Sequence, residues 1–312
     1  MAIYRILSFD GGGLRGLITA RLLQRLNDEP GIAGWLDHVD LIAGTSTGGI
    51  LALGLASGKS PQDIADLYKN KGPAIFDDSI WDDIRDLGSI IGAEYSNKTL
   101  KKELRKIFGD TTLNQLKHRV VIPSFDLDNQ AEDTAQRSWK PKIFHNFSGK
   151  DCDGSQRATD VALYTSAAPT YFPSVDGYID GGVFANNPSM IAIAQAISRS
   201  NRPSERAKLD DTILLSVGTG VSLHYIKGKT LDWGYAQWIK PLIEILRGGV
   251  AGIADFQARE LLGSRYHRLQ VVFGPGETIP PDAVSTLGRM DEIASQFDIG
   301  PAKAWITKHW LR

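Results

Sequence analysis

One serine stands where it could act as a nucleophile. Gly44-Thr45-Ser46-Thr47-Gly48 is a G-x-S-x-G pentapeptide between the apolar run VDLIAG and the buried-helix pattern GGILALGLASG. A sharp strand–turn–helix corner lifts such a serine to its tip, and the flanking glycines Gly44 and Gly48 let the backbone bend that tightly. A serine hydroxyl is a poor nucleophile without a base. Asp180 in YIDGG is one candidate, because Gly181 and Gly182 leave a carboxylate at a strand end uncrowded; the plainer reading is an Asp-Gly turn. It would need burial to raise its pKa and a hydrogen bond to Ser46. Among the downstream histidines, His145 and His267 lie in strand-like runs, and His118 and His309 in solvated ones. His224, just past the GTG turn, is the histidine that could serve.

A second chemistry-bearing stretch precedes it: SFDGGGLRG, in which residues 11–16 fit G-x-G-x-x-G after a strand and before a helix. That context suits a dinucleotide site. The acidic residue such a site places at the end of the next strand is out of position, since Asp37 and Asp40 come before LIAG. A P-loop fails as well, with Leu17 and Ile18 where Lys and Ser/Thr belong. Common to every reading is a set of unpaired N–H groups at a helix start, which suits a phosphate or the oxyanion of acyl transfer.

These residues must be held by strands and helices, and the pattern for both is present. Strands are expected at IYRILSF, VDLIAG, RVVIPSF, KPKIFHNF, YID, DTILLSV and YHRLQVVF. Between them, Ile18, Leu22 and Leu26 recur every fourth residue, as on an amphipathic helix. Ser60, Pro61 and Asp63 make a helix start. Further helices are expected over 97–108, 157–167, 188–199, 231–247 and 251–262, with Pro188 at a first helical position. The alternation predicts an α/β layered fold with a mainly parallel sheet. One domain over 1–312 is expected, with a core of about 3–220 and a helix-rich part, about 221–312, packed on it.

Composition narrows the partners. A net charge of -1 across 312 residues gives no basic surplus for nucleic acid. The single cysteine, Cys152, excludes an internal disulfide framework and a cysteine-rich zinc site. Residues 1–9 read as a strand rather than a secretory leader. The longest apolar stretch is too short to cross about 30 Å of hydrocarbon. A soluble cytoplasmic protein is expected, with peripheral membrane contact open. Nothing in the sequence sets its oligomeric state.

The stretches DGGGLRG (10–16), GTSTG (44–48) and DGG (180–182), with TSAAPTYFPSV, NNPSM and LLSVGTG, together resemble the patatin-like phospholipases over roughly residues 3–270. The resemblance implies a patatin-like three-layer fold, a mainly parallel central sheet with helices on both faces. It implies a lipid acyl hydrolase with Ser46 as nucleophile and Asp180 as base, without histidine. Gly11, Gly12 and Gly13 would donate N–H groups to the oxyanion. Arg15 would touch the substrate phosphate or brace the turn, bracing being the favoured reading, and Gly16, Gly44, Gly48, Gly181 and Gly182 complete the motifs. No cofactor or metal is implied; Asp126 and Asp128 in FDLDN lack the glycine and glutamate of a calcium loop. The partner would be lipid at a membrane or micelle surface. A dinucleotide-dependent oxidoreductase and a Ser–His–Asp esterase using His224 are the alternatives. Residues 74–95 could form a cap. Trp233, Trp238, Leu242 and Ile245, near one helical side, are expected to be core rather than lipid contact.

Overall fold

The computed structural model describes residues 3–76 and 95–312; most of the cap candidate at 74–95 lies outside them. The β-rich runs assemble into one sheet. Its strands are β1 (Tyr4–Phe9), β2 (Leu41–Gly44), β3 (Arg119–Asp126), β4 (Lys140–His145), β5 (Tyr178–Asp180), β6 (Thr212–Val217) and β7 (Tyr266–Leu269). The order is β4-β3-β2-β1-β6-β7, with β5 also paired to β3. Four of the pairings are parallel, and β4 and β5 run antiparallel to β3.

The period-two alternation of strand side chains sorts the core into two layers. Leu7, Phe9, Ile42, Val120, Ile122 and Leu215 face one cluster, while Ile6, Leu41, Ala43, Val121 and Leu214 face the other. Each fully buried aliphatic side chain contributes about 1.5–3 kcal/mol, so both faces need cover. On the first side lie helices α1 (Gly16–Asn27), α2 (Thr47–Ala56), α3 (Pro61–Ile75) and α4 (Asn97–Phe108), followed by α5 (Ala158–Ser166). On the second side, after the short α6 (Gly182–Ala185), lie α7 (Ser189–Ala196) and α8 (Tyr235–Leu262). Two last helices, α9 (Leu287–Gln296) and α10 (Gly300–Trp305), return to the first side. This is a three-layer α/β arrangement with a mainly parallel sheet.

Local signals behave as their chemistry requires. Ser60 caps α3 by accepting from Asp63 N–H at 3.1 Å, with the Asp63 carboxylate reaching back. All ten residues of α2 are buried, matching a helix apolar on every side. The C-terminal part is tied to the first strand, since Arg5 Nε donates to the Trp310 carbonyl at 2.7 Å. Trp310 in turn donates its indole N–H to the Trp35 carbonyl at 2.9 Å.

Two expectations at the C-terminal end change. Instead of helices at 231–247 and 251–262, α8 runs unbroken for 28 residues through Gly248 and Gly249. Helix-interior glycine costs only about 1 kcal/mol each, and Ala258 and Leu262 anchor the helix in the second core layer. The expected core stripe is not core: Leu242 is 43% and Ile245 47% exposed, and Trp233 and Trp238 are half-buried, packed on each other at 5.1 Å.

Candidate active site

The site forms where two strands meet end to end. β2 pairs with β3 at Arg119–Val121 and β5 with Ser124–Asp126, on the same edge but in opposite directions. They converge on the two residues between, Ile122 and Pro123. Proline has no N–H to continue a ladder, and the gap it leaves receives the turns that follow both strands. Gly181 is required at one of them, because a Cβ there would fall 2.4 Å from the Pro123 carbonyl oxygen.

Ser46 follows β2 on the other turn, with φ 55° and ψ −124°. That backbone region is costly for a residue with a side chain, about 1–3 kcal/mol, and persists only where surroundings enforce it. Three contacts enforce it. The Ser46 N–H donates to Thr165 Oγ1 at 2.9 Å, and the Thr165 hydroxyl donates to the Pro123 carbonyl at 2.5 Å. Thr45 Oγ1 donates to the Ala185 carbonyl at 2.6 Å. The glycines on either side meet backbone: a Cβ on Gly44 would lie 1.9 Å from the Gly48 carbonyl oxygen, and one on Gly48 2.4 Å from that of Phe9. α2 begins directly after Ser46, so its positive end faces the hydroxyl.

Asp180, at the tip of β5, is 5% exposed and Ser46 7%. Burial raises the Asp180 carboxyl above the ordinary carboxylate range, while a hydrogen bond with Ser46, the charge of Arg247 and the Gly182 N–H oppose that rise. The Gly182 bond measures 2.6 Å. A carboxylate so placed is a stronger base than an exposed one.

The glycine turn lies alongside. Here the structure corrects one expectation: the Gly11 N–H donates to the Asn186 carbonyl at 2.9 Å and is not free for an oxyanion. Gly12 and Gly13 N–H have no acceptor among the described residues. Gly13 has φ +58°, and a Cβ on it would sit 2.3 Å from the Pro281 carbonyl; one on Gly12 would sit 2.2 Å from Thr219 Oγ1. Arg15 Nε reaches the Gly12 carbonyl at 3.5 Å, bracing the turn, and burial lowers its pKa to about 10. Gly16 packs against Thr47 and Tyr68. The turn is anchored from behind by Asp10, whose buried carboxylate takes two bonds from Arg268, one of 2.8 Å.

Ser46, Asp180 and Gly13 open on one cleft, walled mainly by apolar side chains such as Leu14, Ile50, Leu104 and Phe172. No histidine lines it among the described residues; His224 is exposed and outside it. Asp126 and Asp128 are engaged locally, Asp126 by the Asp128 N–H and Asp128 by Arg137. Thr165, the first residue of TSAAPTYFPSV, and the arginines Arg247 and Arg268 carry no local signal in the sequence that points to this site.

A family model described as patatin-like phospholipase matches residues 7–193. The chain is 30% identical to Protein teg of Priestia megaterium, over 99% of this chain and 100% of that one. It is 38% identical to a cGAMP-activated phospholipase of Vibrio cholerae, over 69% of this chain and 64% of the other. Patatin-like protein 4 of Arabidopsis thaliana is 33% identical over 75% and 64%. The oxidoreductase alternative falls with these matches, and the chain belongs to the patatin-like phospholipase family.

Proposed function

We propose that this lipid acyl hydrolase cleaves fatty acyl esters of glycerolipids through a Ser46–Asp180 dyad and an acyl-enzyme. The observation that carries the reading is the placement of Ser46, held at positive φ, and the buried carboxylate of Asp180 on one apolar cleft. Asp180 takes the hydroxyl proton as Ser46 attacks the ester carbonyl. The tetrahedral oxyanion receives the free N–H groups of Gly12 and Gly13, a contribution of about 3–4 kcal/mol for each donor in comparable sites. The alcohol or lysolipid leaves with the proton. Asp180 then activates water, which releases the fatty acid and restores the serine.

Lipid reaches such a cleft from an aggregate, and α8 offers a surface for it. Leu242, Ile245, Leu246, Ile253 and Phe256 recur at helical spacing and are all exposed, while Arg247 on the opposite side of the same helix lines the cleft. An apolar stripe of this kind suits the headgroup–acyl boundary of a membrane. No helix among the described residues is long and apolar enough to cross one. Liposome sedimentation of an Ile253→Ser/Phe256→Ser variant should fall below wild type; equal sedimentation would dismiss the contact.

The dyad is tested by hydrolysis of a short-chain p-nitrophenyl ester and of phosphatidylcholine, with chelator present. Ser46→Ala and Asp180→Asn should each lose about 10²–10⁴-fold in kcat, and His224→Ala should match wild type. Undiminished turnover by Ser46→Ala would overturn the reading. Loss in His224→Ala would reassign the base.

A further inference from the structure

The cleft holds one cation among its described lining residues, Arg247, and no described residue is bonded to it. Arg247 lies on the inner face of α8, in helical register with the buried Ala254, Ala258 and Leu262, and is itself half-buried. Among the described residues it forms neither a hydrogen bond nor an ion pair. The carboxylates of the cleft are committed elsewhere. Glu103 accepts from Lys106 at 2.7 Å, Asp282 from Tyr95 at 3.1 Å, and Asp180 from the Gly182 N–H at 2.6 Å. Glu244, one turn away on the same helix, makes no ion pair with it. Arg15 lies close enough for the two guanidinium charges to repel, and the carboxylate whose charge Arg247 feels is the proposed base, Asp180, with which it forms no ion pair among the described residues.

A partly desolvated arginine with a like charge nearby and no acceptor is unfavourable until an anion arrives. Its planar fork fits two phosphate oxygens at once. In a glycerophospholipid the phosphodiester is only a few covalent bonds from the ester that Ser46 would attack. We propose that Arg247 binds the phosphodiester of the lipid headgroup, making this residue the determinant of phospholipid over neutral glyceride. The inference rests on the dyad reading above.

The test compares kcat/KM for phosphatidylcholine with that for the diacylglycerol of the same chains, in mixed detergent micelles and on the alkaline plateau where Asp180 is ionised. The phospholipid-to-diacylglycerol ratio should fall about 10- to 100-fold in Arg247→Gln. Arg247→Lys, which keeps the charge but not the fork, should fall less. An unchanged ratio in both variants would overturn the proposal, even if absolute rates dropped, because the arginine would then act only through Asp180. Inorganic phosphate is the arm for a free anion. If it altered diacylglycerol turnover by wild type and not by Arg247→Gln, with the ratio unmoved, the anion would not be the lipid's own and the proposal would fall. Failure of the dyad reading is separate, since it is read from Ser46→Ala on both substrates.

Discussion

Ser46 and Asp180 come from strands that approach each other head-on along one edge of β3, with only Ile122 and Pro123 between their pairing positions. Thr165 bridges this junction, accepting from the Ser46 N–H and donating to the Pro123 carbonyl. Its replacement is therefore informative. Thr165→Val keeps the shape but strands a buried N–H and a buried carbonyl, each worth about 1–3 kcal/mol. Urea unfolding should show a loss of about 2–4 kcal/mol, with kcat lowered as the serine turn relaxes. Thr165→Ser should retain most of both; a valine variant as stable as wild type would show that the bridge contributes nothing.

The raised pKa of Asp180 has two consequences with pH. As the proposed base it must be ionised, so kcat/KM should fall on the acid side with a midpoint above the usual carboxylate value of about 3.9. Its effect on stability has the opposite preference. A carboxyl whose folded pKa is raised favours folding below its unfolded pKa and loses that contribution as pH rises through the folded one. Asp180→Asn should then raise Tm by a few degrees at pH 7 to 8. The gain should vanish near pH 4. A variant that melts earlier than wild type at pH 8 would contradict this account.

The Asp10–Arg268 pair makes a third case. Burial drives the Asp10 carboxyl up, and Arg268 opposes the rise. Arg268→Met would leave that carboxylate buried and unpaired, at a cost of about 3–5 kcal/mol. The deficit should ease toward acid pH, where Asp10 can take a proton. The double variant Asp10→Asn/Arg268→Met should recover most of the stability by chemical denaturation. If it proved no better than the single variant, the arginine would matter for packing rather than charge.

Much of this site could be read from the sequence because its parts are local. The serine corner needs glycines two positions either side of Ser46, and the DGG and GGG turns are likewise written in consecutive residues. The strands were legible for a similar reason, being short apolar runs bounded by turn residues. What escaped was set by distant contacts. Gly11 looked equivalent to Gly12 and Gly13 until Asn186 took its N–H. Arg247 and Arg268 have no local signature, and their importance depends on which helix or strand lies beside the turn. The exposed stripe on α8 was misjudged because helical spacing identifies a face but not what it faces.

The glycine turn at residues 11–13 is made early in the chain and shaped late. Its neighbours are Asn186, Thr219, Arg268 by way of Asp10, and Pro281, whose carbonyl also accepts the Leu14 N–H at 2.6 Å. During synthesis, then, a ribosome-bound chain can carry both Ser46 and Asp180 well before the turn beside them has its supports. A product cut short before Arg268 would contain Ser46 and Asp180 but lack the ion pair that fixes Asp10. The order of the chain thus makes the turn beside Ser46 depend on residues translated after both Ser46 and Asp180.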